Sequence, residues 1–208
     1  MAARLPAVLV LTDRRMAAAA GHSLPGLVAS LAGLDIAVVL REKDLPPGER
    51  AAIAREVADA ASRAGLLLLV SSSPELALRI GADGVHLAAA DPPASCGLVG
   101  RSCHDERELA AANAERVDYV SLSPVFPTPS KPGHGPALGP AGLARLARAA
   151  RMPVYALGGV RPERAAECIE AGARGVAALG VVMGAPDPAA LVAELAGEVH
   201  RALSRPTR

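Results

Sequence analysis

Two glycine-containing turns late in the sequence could hold a phosphate group. The first is Gly158-Gly159, which stands just before a predicted helix, and the second is Leu179-Gly180. Paired glycines let the backbone approach an oxyanion closely, and the amide groups at a helix N-terminus donate hydrogen bonds to it. We therefore predict that these four residues bind the phosphate of a small substrate.

Basic and hydroxyl side chains in two other segments could hold a second anionic group. Arg41 and Lys43 alternate after an apolar run, so both can face one anion, although a solvated charged loop would show the same pattern. The proline-rich segment 124–135 ends in glycines and could close over a phosphate or diphosphate, although a plain surface connection is the alternative. Its candidate binding residues are Thr128, Ser130 and Lys131.

Further titratable residues lie in or after other predicted strands. Ser102 and His104 alternate on one side of a strand end, so either could face the same cavity. They do not indicate a hydrolase, because the sequence contains no G-x-S-x-G motif. Asp91 lies shortly after another apolar run, where a carboxylate could bind Mg²⁺. His86 lies inside that run, and a hydrogen-bonded core histidine is the favoured interpretation.

Short apolar runs precede these residues and are predicted to form the strands that position them. Most of the runs are apolar throughout, which is typical of parallel strands buried on both faces. The predicted strands are Ala7–Leu11, Ile36–Leu40, Leu66–Val70, Gly84–Leu87, Leu98–Ser102, Tyr119–Ser123, Val154–Leu157 and Gly175–Leu179. Four helices are predicted between or after the strands. The first covers about 47–64, and the second starts near Asp105. The third begins at Arg161-Pro162 and ends before Gly172, and the fourth runs from Asp187-Pro188 to about Leu203.

Repeated strand–helix units of roughly 25 residues predict one (β/α)₈ barrel over residues 1–203, with a basic tail over 204–208. An open doubly wound sheet is the alternative, but no G-x-G-x-x-G motif follows the first predicted strand. In a barrel the loops after the strands meet at one face, so the candidate residues would share a single site.

The composition excludes several classes of function. The chain has 51% hydrophobic and 21% charged residues, no Trp, one Phe and a net charge of +1, which disfavours a nucleic-acid partner. Three cysteines without a C-x-x-C spacing disfavour disulfides and zinc, and they indicate a reducing cytoplasm. No apolar run is long enough to span a bilayer, so no membrane partner is expected.

Several short segments occur in an order and spacing that characterise one known superfamily. They are Leu11–Arg14, Leu40–Lys43, Gly81–Leu87, Gly100–His104, Asp118–Val120, Pro124–Lys131 and Ala156–Val160. Over nearly its whole length the sequence resembles the superfamily of thiamine-phosphate synthases and TenI-like thiazole tautomerases. The resemblance implies a (β/α)₈ barrel whose last two strand turns hold a thiazole phosphate, and it is compatible with a homodimer.

The synthases of this superfamily join hydroxymethylpyrimidine diphosphate to thiazole phosphate and release pyrophosphate with Mg²⁺. For a synthase, the resemblance implies that Arg41, Lys43 and Lys131 hold the diphosphate. It also implies that Ser102 and Thr128 add polar contacts. Cationic groups are needed because the leaving group carries several negative charges.

The sequence departs from the synthases on the metal and pyrimidine side. Val39 stands where the family usually has Gln, Ser71-Ser72 where it has Asn-Asp, and Ala88-Ala89 where it has Gly-Gln. Asp91 is then the one remaining carboxylate for a metal. These losses predict a TenI-like thiazole tautomerase, an isomerase without a cofactor. The alternatives are a synthase with Mg²⁺ and a non-catalytic regulatory protein that binds thiazole phosphate.

A tautomerase also needs a base that transfers a proton. The histidine that the resemblance implies just after the sixth strand is Pro124 in this sequence. His104 or His134 could replace it, because a histidine titrates near neutral pH. His104 and Lys131 are the predicted catalytic residues.

Overall fold

The apolar runs of the sequence form the strands of a closed parallel barrel. The computed structural model describes residues 5–115, 117–128 and 136–205 of the chain. Its strands are β1 (Val8–Leu11), β2 (Ile36–Leu40), β3 (Leu67–Ser71), β4 (Gly84–Leu87), β5 (Leu98–Cys103), β6 (Tyr119–Leu122), β7 (Val154–Leu157) and β8 (Gly175–Ala178). They pair in sequence order, and β8 pairs with β1 to close the barrel. The predicted (β/α)₈ barrel is confirmed, and each strand end lies within one residue of its predicted position.

Alternate strand residues point into the barrel or outward to the helices. The inward side chains form an apolar cluster whose buried members are Leu9, Leu11, Ala37, Val39, Leu69, Tyr119, Tyr155, Leu157 and Ala177. Glycines on neighbouring strands make room for its tyrosine rings: a Cβ at Gly100 would lie 2.0 Å from Cζ of Tyr119, and one at Gly175 would lie 2.6 Å from Cε1 of Tyr155. Both tyrosines lie near the amino ends of their strands. The barrel is therefore packed at that end.

Helices surround the barrel and complete the strand–helix repeat. They are α1 (Arg14–Ala19), α2 (Leu24–Ser30), α3 (Pro47–Ala64), α4 (Pro74–Ile80), α5 (Glu106–Glu115), α6 (Gly139–Ala149), α7 (Pro162–Glu170), α8 (Gly180–Met183) and α9 (Pro188–Leu203). The predictions of α3, α5, α7 and α9 are confirmed. The other described helices were not predicted: α1, α2, α4 and α8 have seven residues or fewer, and α6 begins at Gly139. No helix forms within residues 88–97, all of which are described, and this connection between β4 and β5 carries Asp91.

The described part of the chain contains neither a membrane-spanning helix nor an exposed thiol. None of the described helices combines the length and the apolar character that a bilayer crossing requires. Cys96, Cys103 and Cys168 are buried free thiols. Burial raises the pKa of Cys103 and of Cys168 to about 12. Such thiols are not ionised at neutral pH, so we assign no chemical role to these two.

Candidate active site

The carboxyl ends of the strands surround a cavity of about 620 Å³, a size that suits small-molecule ligands. The predicted site residues that line it are Arg41, Lys43, Ser102, His104, Thr128, Gly158, Gly159, Leu179 and Gly180. Asp91 lies close by, but it is not among the residues that line the cavity. Ser130, Lys131 and His134 lie outside the described residues. The structure thus brings most of the predicted site together from strand ends that are far apart in sequence.

The turn after β7 requires glycine at two positions. Gly158 and Gly159 have φ angles of +96° and +64°, in the left-handed region that side chains disfavour. A Cβ at Gly158 would lie 2.8 Å from Cα of Pro124, and one at Gly159 would lie 2.7 Å from the carbonyl oxygen of Pro127. The turn therefore presents bare backbone to the cavity. Its position just before α7 suits an oxyanion.

Two arginines beside this turn line the cavity and were not predicted. Arg161 is the N-cap of α7, and Arg164 lies in the first turn of that helix. The guanidinium group of Arg164 lies 4.4 Å from the ring centre of Phe126, a cation–π distance, and it donates to the carbonyl oxygen of Gly159 at 3.4 Å. The signal for them in the sequence is a pair of cationic residues shortly after the Gly-Gly turn.

A buried carboxylate fixes which side chains of the loop after β2 face the cavity. Glu42 is 3% exposed and accepts hydrogen bonds from Thr12 Oγ1 at 2.8 Å and from the Arg14 amide at 3.1 Å. The Thr12 hydroxyl oxygen in turn accepts a hydrogen bond from the backbone amide of Arg41 at 2.9 Å. Because Glu42 points into this network, Arg41 and Lys43 on either side of it face the cavity.

Lys43 is linked to Asp91 through a single serine. The ammonium group of Lys43 donates to Ser72 Oγ at 2.6 Å, and the Ser72 hydroxyl donates to Oδ2 of Asp91. The same carboxylate oxygen accepts a hydrogen bond from the Ala88 amide at 2.7 Å. Burial by itself would raise the pKa of Asp91, but the hydrogen bonds from Ser72 and Ala88 outweigh it and hold that pKa below its ordinary value. Asp91 is therefore ionised at neutral pH.

A buried arginine holds the loop that carries Asp91. Arg101 is 2% exposed. Its Nη1 donates to the carbonyl oxygens of Ala88, Ala89 and Asp91, at 2.9, 3.2 and 2.9 Å. Its Nη2 lies 2.7 Å from Oε2 of Glu115, an ion pair without the alignment of a hydrogen bond. Sequence reasoning missed this role, because nothing local to Arg101 shows that it is buried beneath another loop.

Two histidines line the cavity in different settings. His104 is tied to the start of α5, since its backbone amide and its Nδ1 both lie 2.8 Å from Oε2 of Glu108. His86 is 4% exposed, with Nδ1 2.9 Å from the Tyr119 hydroxyl and Nε2 2.9 Å from Ser102 Oγ. His86 thus makes the hydrogen bonds expected of a core histidine, and in addition it reaches the cavity wall.

One known family matches the part of the chain that forms this cavity. A family model described as thiamine monophosphate synthase matches residues 8–182, a range that contains every residue lining the cavity. The chain belongs to the thiamine monophosphate synthase family. The resemblance inferred from the sequence motifs is therefore confirmed.

Individual relatives support the same assignment. The chain is 38% identical over 212 residues to the thiamine-phosphate synthase of Roseiflexus sp. (strain RS-1), with 97% of this chain and 88% of that protein covered. It is 41% identical over 173 residues to the thiamine biosynthesis bifunctional protein ThiM/ThiE of Symbiobacterium thermophilum, covering 79% of this chain but 36% of that longer protein. A solved thiamine phosphate pyrophosphorylase from Pyrococcus furiosus superposes with a TM-score of 0.82 at 28% identity, covering 95% of this chain and 96% of that one.

The prediction of a TenI-like tautomerase as the main activity is wrong. Relatives that are 34–38% identical carry the name thiamine-phosphate synthase. The error came from interpreting Val39, Ser71-Ser72 and Ala88-Ala89 as marks of a different branch. Those substitutions remove polar groups from one part of the site, but they leave the cations Arg41 and Lys43 in the cavity wall. Loss of uncharged contacts and of one carboxylate does not remove the charge that a diphosphate requires.

Proposed function

We propose that this protein is a thiamine-phosphate synthase, a transferase that joins hydroxymethylpyrimidine diphosphate to thiazole phosphate and releases pyrophosphate. The observation that carries the proposal is the presence of two anion-binding groups around one cavity. The Gly158-Gly159 turn and Gly180 form the first, and Arg41 with Lys43 forms the second. Two substrates that each carry phosphate need two such groups, and the names of the relatives point to the same reaction.

Charge neutralisation is the main chemical task in this reaction. The carbon–oxygen bond between the pyrimidine methylene and the diphosphate breaks, and its electron pair leaves with the diphosphate. The thiazole ring nitrogen uses its lone pair to form the new carbon–nitrogen bond. In this proposal Arg41 and Lys43 stabilise the leaving diphosphate, and the hydroxyls of Ser102 and Thr128 donate to it. The step removes no proton, so it requires no general base at His104.

An apolar part of the cavity wall suits the two ring systems. Leu11, Leu157 and Ala177 line the cavity, and Val39 is buried in the same apolar cluster. In this proposal the pyrimidine ring packs against aliphatic groups, and position 39 offers it no amide side chain. Water-poor surroundings strengthen the attraction between the diphosphate and its cations, because the effective dielectric constant is lower there.

The described residues do not form a protein-held Mg²⁺ site. Asp91 is linked to Lys43 through Ser72, but its Oδ2 accepts hydrogen bonds from the Ser72 hydroxyl and the Ala88 amide, and the residue does not line the cavity. No group of three or more His, Cys, Asp and Glu residues suited to a metal occurs in the described ranges. We therefore assign charge neutralisation to Arg41 and Lys43 and derive no step through a metal.

The proposal is tested with the purified full chain and both substrates. Thiamine phosphate and pyrophosphate should appear in equal amounts, and omission of either substrate should abolish both products. The reaction is run with Mg²⁺ and with a chelator to measure how far it depends on the metal. Saturable binding of both substrates without any product would overturn the proposal and support the non-catalytic alternative.

A further inference from the structure

A row of residues across three strands connects the barrel interior to the cavity. The strand register pairs His86 of β4 with Gly100 of β5, and Gly100 with Tyr119 of β6. Because Gly100 has no side chain, the Tyr119 ring lies across it and reaches the imidazole of His86, with ring centres 5.6 Å apart. His86 then contacts Ser102, a half-buried residue that lines the cavity.

The burial of Tyr119 sets the direction of the first hydrogen bond. Its side chain is fully buried, and burial raises its pKa well above the ordinary value, so the hydroxyl keeps its proton. A buried hydroxyl hydrogen needs an acceptor, because leaving it unpaired costs about 1–3 kcal/mol. Within the described residues, the acceptor at hydrogen-bond distance is Nδ1 of His86, at 2.9 Å. Tyr119 therefore donates to Nδ1, and Nε2 carries the imidazole proton.

The protonated Nε2 sets the direction of the second hydrogen bond. It donates to Ser102 Oγ at 2.9 Å. The Ser121 hydroxyl lies 3.4 Å from the same Nε2, which cannot accept a hydrogen while it is protonated, and it donates to Ser102 Oγ at 3.5 Å. Both neighbours direct hydrogens at the Ser102 oxygen. The single hydrogen of the Ser102 hydroxyl is then left to point into the cavity.

We propose that His86 is a positioning residue that makes Ser102 a hydrogen-bond donor to an anionic oxygen of the bound diphosphate. The inference rests on the proposed function, because that function places a diphosphate in the cavity. With the other tautomer, Ser102 would donate to His86 and present only lone pairs to the anion. The tautomer of His86 thus decides whether Ser102 attracts or repels the leaving group.

The tautomer is measured directly in the ligand-free, unmodified protein by ¹⁵N NMR above the titration range of histidine. The chain has five histidines, and the signals of His86 are those that disappear in His86→Gln. We expect the Nε2–H form, with Nδ1 unprotonated. An Nδ1–H form would overturn the inference whatever the enzyme does. Failure to form thiamine phosphate would count against the proposed function alone.

A matched pair of substitutions tests the coupling to Ser102. The amide nitrogen of His86→Gln can occupy the place of Nε2 and donate to Ser102, whereas the shorter side chain of His86→Asn cannot reach it. Both remove the ring, so the cost of losing imidazole packing is common to the pair. Affinity for inorganic pyrophosphate should fall roughly tenfold or more in His86→Asn, and His86→Gln should recover most of that loss. Equal losses in the two variants would overturn the positioning role.

A double substitution separates positioning from general damage. If His86 acts through Ser102, His86→Asn combined with Ser102→Ala should bind pyrophosphate no more weakly than Ser102→Ala alone. Losses that multiply would contradict the inference. If the His86 variants do not fold, Tyr119→Phe serves instead, because it removes only the hydroxyl that fixes the tautomer. It should weaken pyrophosphate binding in the presence of Ser102 and have no effect in the Ser102→Ala background.

Discussion

The ammonium group of Lys43 lies 2.6 Å from the hydroxyl oxygen of Ser72, at the strand end where the resemblance to synthases implies a carboxylate. The Ser72 hydroxyl in turn donates to Asp91. The cation of Lys43 is therefore linked through one serine to Asp91, the carboxylate that the resemblance leaves for a metal. Such a cation is covalently part of the protein and needs no second carboxylate to hold it. In the proposed synthase, Lys43 supplies positive charge to the diphosphate where the metal-binding pair implied by the resemblance is incomplete.

Substitution of Ser72 by Asp is expected to create a site for Mg²⁺. The new carboxylate would stand beside Asp91, and affinity for a hard cation rises with the number of carboxylate ligands. The dissociation constant for Mg²⁺, measured by calorimetric titration of the protein with the metal alone, should fall roughly tenfold relative to the unsubstituted protein. Ser72→Asn is the matched control, because it has nearly the same size and no charge. An identical Mg²⁺ response in the two variants would show that position 72 does not contribute to metal binding.

The affinity for pyrophosphate is expected to decline in alkaline solution because Lys43 loses its proton. Burial of the ammonium group lowers the pKa of Lys43, Asp91 opposes this effect, and Arg41 adds to it. The charged form binds the anion, and affinity should therefore fall as the pH rises through the alkaline range, starting at a lower pH than for a lysine with an ordinary pKa. Binding titrations with inorganic pyrophosphate measure this profile.

Lys43→Arg provides the comparison for that profile. A guanidinium group stays protonated throughout this range, so the alkaline decline should weaken even if the geometry is poorer and the affinity lower at neutral pH. Ionisation of pyrophosphate itself is common to both proteins and cancels in the comparison. The same decline in both proteins would assign the titration to a group other than Lys43.

The strands could be predicted because a barrel strand is buried on both faces and therefore has a continuous apolar sequence. Ile36–Leu40 and Val154–Leu157 have the same bounds in the prediction and in the structure. Helix α8 could not be predicted, because four residues are too few to show a helical period.

A site residue could be predicted where the spacing within one segment shows which way its side chain points. It could not be predicted where its role depends on contact with a residue of another strand. Arg41 and Lys43 show their common direction through their spacing alone. His86, Gly100 and Tyr119 lie on three different strands, and only the register of the sheet brings them together. A single sequence contains no measure of that register.

Removal of the buried guanidinium group at Arg101 is expected to destabilise the fold. Arg101→Met keeps the length of the side chain but leaves the carbonyl oxygens of Ala88, Ala89 and Asp91 without their shared donor. The free energy of unfolding should fall by about 3 kcal/mol, most of it from these buried groups, because Glu115 is partly exposed. Urea denaturation measures the change. Arg107→Met, at a side chain that is 86% exposed, should change it by about 0.5 kcal/mol or less.

The cation at Arg164 is expected to act on one substrate only. Its guanidinium group is held by the Phe126 ring and by the carbonyl oxygen of Gly159, beside the turn that we propose for the thiazole phosphate. Arg164→Leu preserves an apolar contact with Phe126 and removes the charge. The KM for thiazole phosphate should rise roughly threefold to tenfold, because a solvent-accessible cation next to a phosphate contributes modestly.

The KM for the pyrimidine diphosphate should be nearly unchanged in Arg164→Leu, because Arg41 and Lys43 lie after a different strand. Arg148→Leu, on an exposed position of α6 that does not line the cavity, is the control for loss of a surface charge and should change neither KM. Equal increases in both KM values for Arg164→Leu would indicate that the arginine supports the cavity as a whole. A selective increase for the diphosphate substrate would reverse the assignment of the two anion-binding groups.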